Sequence, residues 1–471
     1  MDELQQQVFN VVGDVPPAIL VIGAVAAALL VGATFARARN ALILIGTMLL
    51  FASIGEADFE EHILRPQFLV PIQAIRSELF ALVGLLLGIG LTAHVGLHAH
   101  RRLAPQSILL LAIAFYAAML RIVHEGPVSG AVSVVLALVT IVPMMLILPR
   151  ILDDWDDLVG IVRFIILVGV AWLGLVVIQA AIDPGAMVVG RQGRFFGPTG
   201  NPQQAAIILG MNTAFLVWLF NHDRVRSLRL VYAVLAGLSA VGVLWTGSRT
   251  GLALMVIGVT VVAYARVGRT ILYLPLGLLG LYAGWTLLNT LGVDLAAASR
   301  VTSLQDTRTE RWLAMFEVGR SSPWLGVGVE QAGGSENSYL YAFASYGIGM
   351  VLLVLLLLLL SLSICLRLLR LRRFVDERRR PIIDIVLAYN AMYFIGGFVE
   401  GYILARVSFN LVLLLLFAAM ARRIEELVAE EWAETAAAPA ADELEEPDPG
   451  AVDPWGFPLA MSRGGGMPGR T

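Results

Sequence analysis

The chemistry-bearing residues of this chain are arginines set against apolar runs. Arg249 lies in Thr246-Gly-Ser-Arg-Thr-Gly251, between the hydrophobic stretches 241–245 and 252–262. A charge at bilayer depth costs about 2.5–3.5 kcal/mol on insertion scales, so an arginine at the rim of a hydrophobic layer is a functional candidate by default. Its chemistry is anion recognition, because a guanidinium is a rigid fork of donors matched to phosphate. Arg191 and Arg194 stand in Gly190-Arg-Gln-Gly-Arg-Phe-Phe-Gly-Pro-Thr-Gly-Asn-Pro202, whose glycines suit an oxyanion cradle, although no Walker-type Lys-Ser/Thr end follows. Arg308 and Arg311 flank a third polar stretch. Two carboxylates are placed to accept a proton: Glu336, in Gly333-Gly-Ser-Glu-Asn-Ser-Tyr-Leu340 next to Asn337, and Glu400, in the turn Glu400-Gly-Tyr402.

Each of these has a structural reading beside the functional one. Arg308 and Arg311 border an apolar stripe and can snorkel from an interfacial helix. Ser335 or Asn337 can be a helix N-cap, with Glu336 favourable in the helix dipole. Asp153-Asp-Trp-Asp-Asp157 fits an Asp-Asp-x-x-Asp magnesium pattern, but no second acidic cluster accompanies it and a solvated turn explains it better. His94, His98 and His100 have metal-like spacing beside Arg101 and Arg102, where a helix end and an interface also favour them. Glu56, Asp58, Glu60, Glu61 and His62 read as a solvated acidic loop. No metal site is expected.

The elements that must position these groups are membrane spans. The 471 residues are 58% hydrophobic and 15% charged, and mean hydropathy is +0.79. Soluble domains average about 45–50% apolar and about 25% charged. Net charge is −3, which gives no reason to expect nucleic acid as a partner. All 33 basic residues are arginine, so lysine Schiff-base chemistry is excluded. The single cysteine, Cys365, excludes an intrachain disulfide and a cysteine-rich metal site. Acidic residues Asp2, Glu3 and Asp14 stand where a signal peptide would be basic, so none is expected.

A spanning helix needs about 20 mostly apolar residues. Candidates lie near 17–36, 41–55, 78–97, 106–123, 128–149, 160–182, 203–220, 229–246, 250–265, 270–289, 338–366, 382–399 and 402–420. These are thirteen, or twelve if one of the short stretches fails. The expected architecture is an all-α polytopic transmembrane bundle with a partly helical large extracytoplasmic loop. Short arginine-bearing loops follow every odd-numbered span, among them Arg37/Arg39, Arg150, Arg224/Arg226/Arg229, Arg367 to Arg380 and Arg422/Arg423. Cytoplasmic loops carry the Lys/Arg excess, so the N-terminus is expected outside and the C-terminus inside. Loops 183–202 and 290–337 fall outside yet carry arginines, which points to an anionic ligand on that face. The chain divides into N-terminal spans (1–189), a central region (190–366) containing the loop 290–337, C-terminal spans (367–423) and a cytoplasmic tail (424–471). Residues 424–432 can prolong the last helix; from about Ala436 the composition is that of disorder.

Within the large loop, Thr307-Arg-Thr-Glu310 reads as a capping box opening a short amphipathic helix. Trp312, Met315, Phe316 and Gly319 share its apolar face, and Ser321-Ser-Pro-Trp324 ends it. The glycines of Gly326-Val-Gly-Val-Glu330 permit the loop to fold back toward the membrane mouth.

In order and spacing, these pieces resemble the O-antigen ligase/polymerase superfamily of bacterial envelope enzymes. The matching features are the arginine loop running to Gly200-Asn-Pro202, the Gly-Ser-Arg-Thr-Gly hairpin, Arg300 with Thr309-Glu-Arg-Trp312, Pro323-Trp-Leu-Gly-Val-Gly328, Glu-Asn-Ser-Tyr-Leu340 and Tyr346-Gly-Ile348; they cover about residues 190–365. The resemblance implies a glycan donor on a polyprenyl (undecaprenyl-type) diphosphate, a glycan or lipid acceptor, and no metal, cofactor or ATP. It implies an extracytoplasmic site in the bacterial cytoplasmic membrane, with a chain-length regulator as a candidate partner. By position, Arg249 matches the family's hairpin arginine, Arg191 or Arg194 its earlier loop arginine (with Arg194 preferred), and Arg311 an arginine of the large loop.

The ligases of that family carry His-Asn where this chain has Glu336-Asn337. That departure favours a polysaccharide polymerase over ligation to lipid A core, with Glu336 as general base, Glu400 as its fallback, and Arg191, Arg194, Arg249 and Arg311 holding the diphosphate. Asn337 and Arg308 are expected to support the acceptor side. The alternative from another class is a lipid-linked oligosaccharide flippase or other multi-pass transporter. No internal repeat is visible, and the charges concentrate at one face.

Overall fold

The computed structural model describes residues 32–33, 37–54, 76–92, 102–182, 184–189, 193–264, 308–333, 336–404 and 408–437. The candidate spans at 17–36 and 270–289, the loop residue Arg191, the histidines His94, His98 and His100, and most of the tail lie outside the described residues. Among the described residues there are twelve α-helices and one two-stranded ribbon. The chain is an all-α bundle, and six of these helices are long and apolar enough to cross a membrane.

In chain order the helices are α1 (Ala41–Ser53), α2 (Arg76–Thr92), α3 (Pro105–Glu125), α4 (Pro127–Ile151), α5 (Trp155–Ile182), α6 (Pro202–His222), α7 (Arg226–Thr246), α8 (Arg249–Tyr264), α9 (Thr309–Ser321), α10 (Ser338–Leu371), α11 (Arg380–Gly397) and α12 (Phe409–Ala437). Prolines open α3, α4 and α6 at the first helical turn, where a missing N–H costs nothing. Expected and observed spans agree closely. Two differences have local causes. The last helix starts at Phe409 rather than near 402, because Tyr402 is held in a turn, its hydroxyl donating to the Tyr393 carbonyl at 2.5 Å. That helix also runs on to Ala437, the prolongation expected from 424–432.

Two helices form the centre. Helix α6 packs against α5, α7, α8 and α11, and α12 against α1, α3, α10 and α11. Their rings meet: Phe215 lies 5.6 Å from Phe417, and Tyr389 stacks on Phe417 at 4.2 Å. By contrast α7 and α10 expose long aliphatic faces, including Leu230, Val234, Leu352, Leu356 and Leu359. Apolar surface on that scale is what a lipid environment covers.

The polar groups sort to the two ends. At one end Arg39 meets Asp157 at 2.7 Å, the Trp155 indole donates to Glu431 at 2.8 Å, and Arg423 donates to the Asp153 carbonyl at 2.5 Å. The Asp153–Asp157 run is a capped turn: the Asp157 carboxylate accepts from the Asp153 amide at 2.9 Å, and Asp154 accepts from the Asp157 amide at 2.8 Å. At the other end lie the ribbon β1 (Val188–Val189) and β2 (Arg194–Phe195), the α7–α8 hairpin, α9 and the α11–α12 turn.

Helix α10 is interrupted at Gly347, which takes φ 74°, ψ −172°. The loop after α9 fills the gap. Val327 and Gly328 amides donate to the carbonyls of Ala344 and Ser345 at 2.8 and 3.1 Å, and the Ile348 amide donates to Pro323 at 2.8 Å. Backbone groups freed by the break are therefore re-satisfied by the loop, as burial demands. A Cβ on Gly326 would sit 2.4 Å from Ser345 backbone, and one on Gly347 would sit 2.3 Å from the Trp324 carbonyl.

Candidate functional site

The α7–α8 hairpin turns on Gly247, which adopts a left-handed conformation (φ 62°) and caps α7. Its polar residues are tied down: the Ser248 amide donates to Thr246 Oγ1 at 3.1 Å, and the Gly251 amide to Ser248 Oγ at 3.2 Å. The guanidinium of Arg194 crosses from β2 and donates through Nε to the Thr246 carbonyl at 2.9 Å. Phe195 beside it stacks on Trp245 at 5.3 Å. Arg194 and the Arg249 hairpin therefore meet at one place. Arg249 is exposed at the first turn of α8, and Arg194 is half-buried.

From this hairpin a buried bridge runs outward. Thr250 Oγ1 donates to Glu400 Oε1 at 2.9 Å. Arg308 Nη2 reaches both, at 3.1 Å to Thr250 Oγ1 and 2.7 Å to Glu400 Oε1, while its Nη1 donates to the Val399 carbonyl. The expected capping box turns on Thr307, which lies outside the described residues. Helix α9 begins at Thr309, with Arg308 at its N-cap and no side-chain cap bond. The Arg308 side chain is committed to the Glu400 turn. Burial raises the Glu400 carboxyl above its ordinary range, against the opposing pull of the Arg308 charge and the Thr250 hydroxyl.

One turn along α9, Arg311 forms an ion pair with Glu336 through Oε1. Glu336 Oε2 is buried and has no hydrogen-bond partner among the described residues. The next residue, Asn337, is the N-cap of α10: its Oδ1 accepts from the amides of Tyr339 and Leu340 at 2.9 and 3.0 Å. Its Nδ2 donates to the Phe398 carbonyl at 2.7 Å, and Ser338 Oγ donates to the Glu400 carbonyl at 2.6 Å. Of the two cap candidates Asn337 is the one used; Ser335 lies outside the described residues. Tyr339 stacks on Phe398 at 4.3 Å, which clamps the start of α10 to the end of α11.

Where a short amphipathic helix lying on the outer leaflet is expected, helix α9 instead turns part of its apolar face into the bundle, with Phe316 left exposed. Met315 and Gly319 are buried, Gly319 lies against the Phe343 ring, and Phe316 is 5.9 Å from that ring. Leu313, Trp324 and Leu325 remain exposed, and Trp324 is 73% exposed. At the same end, α3 contributes two groups that sequence reasoning left out of the site. His124 Nε2 lies 3.1 Å from the Leu325 carbonyl. Arg121, buried near the end of α3, pairs with Glu125 at 3.1 Å. Arg121 also lines an apolar cavity of ≈ 60 Å³ with Tyr346, Ile403 and Leu404, just past the Glu400 turn.

Of the residues proposed from sequence, the structure thus gathers Arg194 with the Arg249 hairpin, Arg308 with Glu400, and Arg311 with Glu336, with Asn337 next in the chain. Thr250, Ser338 and Tyr339 join them without having been predicted. Neither a family model nor a curated protein matches this chain.

Proposed function

We propose that the chain is an integral membrane glycosyltransferase that transfers or polymerises glycan units from a polyprenyl-diphosphate carrier. The observation that supports this reading is the convergence of four arginines, Arg194, Arg249, Arg308 and Arg311, with two carboxylates at one end of an apolar bundle. The first pair serves a diphosphate. Arg249 is exposed at a helix N-terminus, where fixed N–H dipoles add to its charge. Arg194 is held beside it by the Thr246 carbonyl.

In the proposed reaction the sugar C1–O bond to the diphosphate breaks, and its electron pair leaves on the diphosphate. The acceptor hydroxyl oxygen bonds C1 from the opposite face, inverting it, and its proton passes to Glu336. Guanidinium groups stabilise the leaving charge as it develops. The Arg311–Glu336 pair adds a coupling step. Arriving phosphate competes for Arg311, and Glu336 is released from its cation as the donor binds. Arg308 serves through Glu400, fixing the turn against which Asn337 and Ser338 are anchored. Polymerisation is favoured over ligation, the site faces the extracytoplasmic side of a bacterial cytoplasmic membrane, and the glycan acceptor and a chain-length regulator are the partners.

The test is lipid-linked glycan profiling in a deletion background complemented with Arg249→Ala or Arg249→Lys. Both variants are expected to insert normally and to make no extended glycan. Undiminished polymer from either one removes the assignment. A second reading has one observation in its favour: α10 is broken at Gly347, and discontinuous helices are common in transporters. A flippase would move labelled lipid-linked sugar across the bilayer without lengthening it.

A further inference from the structure

The end of the bundle opposite the proposed active site contains a second arginine cluster, built around a cleft. Two neighbouring cavities of ≈ 450 and ≈ 320 Å³ share His222, Arg378 and Pro381 as walls. Their walls come from α5, the end of α6 and the turn after it, α8, and the α10–α11 turn with the start of α11. They carry the guanidinium groups of Arg163, Arg224, Arg372, Arg378 and Arg380 against the carboxylates of Asp156, Glu377 and Asp384.

The carboxylates do not neutralise this set. Asp384 is used by Arg372, which grips it at 2.6 and 3.2 Å. Arg380 spends Nε on the Val375 carbonyl at 2.9 Å. Arg163, Arg224 and Arg378 are exposed and have no ion-pair partner among the described residues. The cleft is also rigid. The Trp218 indole donates to the Pro381 carbonyl at 2.7 Å, clipping α6 to the start of α11. His222 stacks on Trp218 at 4.8 Å, and its Nδ1 lies 2.6 Å from the Trp218 carbonyl. That contact requires the proton on Nδ1. A space of a few hundred cubic ångströms is ligand-sized, and guanidinium forks on several walls match a group with several anionic oxygens.

We infer that this cleft binds a phosphate-bearing anion, at a site separate from the one proposed for the glycan donor. The same chemistry is presented by an anionic phospholipid headgroup, which basic pockets at helix ends commonly hold, and by a soluble diphosphate.

The experiment uses the full chain in neutral detergent. One arm adds cardiolipin and reads bound lipid by native mass spectrometry. The other titrates inorganic diphosphate by calorimetry. Two double variants remove the same charge from the same end: Arg224→Gln with Arg378→Gln inside the cleft, and Arg370→Gln with Arg373→Gln outside it. Saturable binding of one probe is expected, weakened about tenfold or more by the first pair and little changed by the second. The arm that responds identifies the source of the phosphate. No saturable binding in either arm overturns the site. Equal weakening by both pairs also overturns it, because the effect is then diffuse charge. If the first double variant does not fold, Arg378→Gln alone is read by the same criteria.

Discussion

Arg308 and Glu400 are 92 residues apart in the chain, yet their side chains meet at 2.7 Å with Thr250 between them. The bond joins three connections: the α7–α8 hairpin, the start of α9 and the α11–α12 turn. Removing either partner leaves the other in a partly desolvated site, which is costlier than losing the pair altogether. Arg308→Ala and Glu400→Gln are each expected to lower thermal stability in detergent. The double variant should be less damaged than the sum, with a coupling of about 1–3 kcal/mol. Additive effects would show that the pair contributes nothing.

The pH dependence of that turn has a definite sign. Burial lifts the Glu400 carboxyl above the ordinary 4.5, so in the window between those values the folded chain holds a proton the unfolded chain has lost. Stability therefore falls as pH rises through the window, and the contribution is most favourable below it. Melting temperatures measured from pH 4.5 upward should decline less steeply for Glu400→Gln than for the parent chain. Parallel curves would contradict the assignment.

Glu336 and Arg311 separate by their kinetic signatures. A general base is worth about 10²–10⁴-fold in rate. Glu336→Gln should lose that factor and flatten the acidic limb of the pH–rate profile, while Glu336→Asp keeps part of the activity. Arg311→Ala should mainly weaken donor binding, seen as a raised KM. An unchanged rate for Glu336→Gln transfers the base assignment to Glu400.

Two glycines should be indispensable for backbone reasons. Gly347 and Gly326 have φ of 74° and 70° and leave no room for a Cβ. Alanine at either is expected to cost about 1–3 kcal/mol or more. Gly160 is the control, since nothing lies within 4 Å of its added Cβ and helix propensity favours alanine. Thermal unfolding of the three variants decides the matter; equal behaviour would mean that the loop does not close the helix break.

Asn337 performs two jobs that substitution can separate. Asn337→Asp retains the cap acceptor but sets a carboxylate against the Phe398 carbonyl, and Asn337→Ala loses both bonds. Alanine is expected to cost about 1 kcal/mol for the cap alone. Aspartate should preserve the helix start while loosening the Glu400 turn, visible as faster proteolysis near residue 400.

Much of this arrangement was legible in the sequence because it is local. Hydropathy located the helices, and a cap at Ser335 or Asn337 and the apolar face of α9 follow from spacing over a few residues. The Arg249 hairpin stood out because a charge interrupts an apolar run. What stayed hidden depends on long-range pairing. Nothing near Arg308 announces Glu400 as its partner. Thr250 looks like an ordinary turn residue until both partners reach it. Gly347 lies in an apolar stretch with no proline, so the break in α10 shows only where the returning loop claims its carbonyls.

That returning loop changes how movement can spread through the protein. Residues 323–328 complete the hydrogen bonding of α10 across its gap, so the outer segment 338–346 and the helix behind it are joined through the loop as well as through Gly347. A displacement of the loop would therefore act on both sides of the break, on the outer segment through Ala344 and Ser345 and on the inner one through Ile348. The glycine break is thus a junction: the loop is bonded to the helix on both sides of it, and the outer segment is tied in addition to the Glu400 turn.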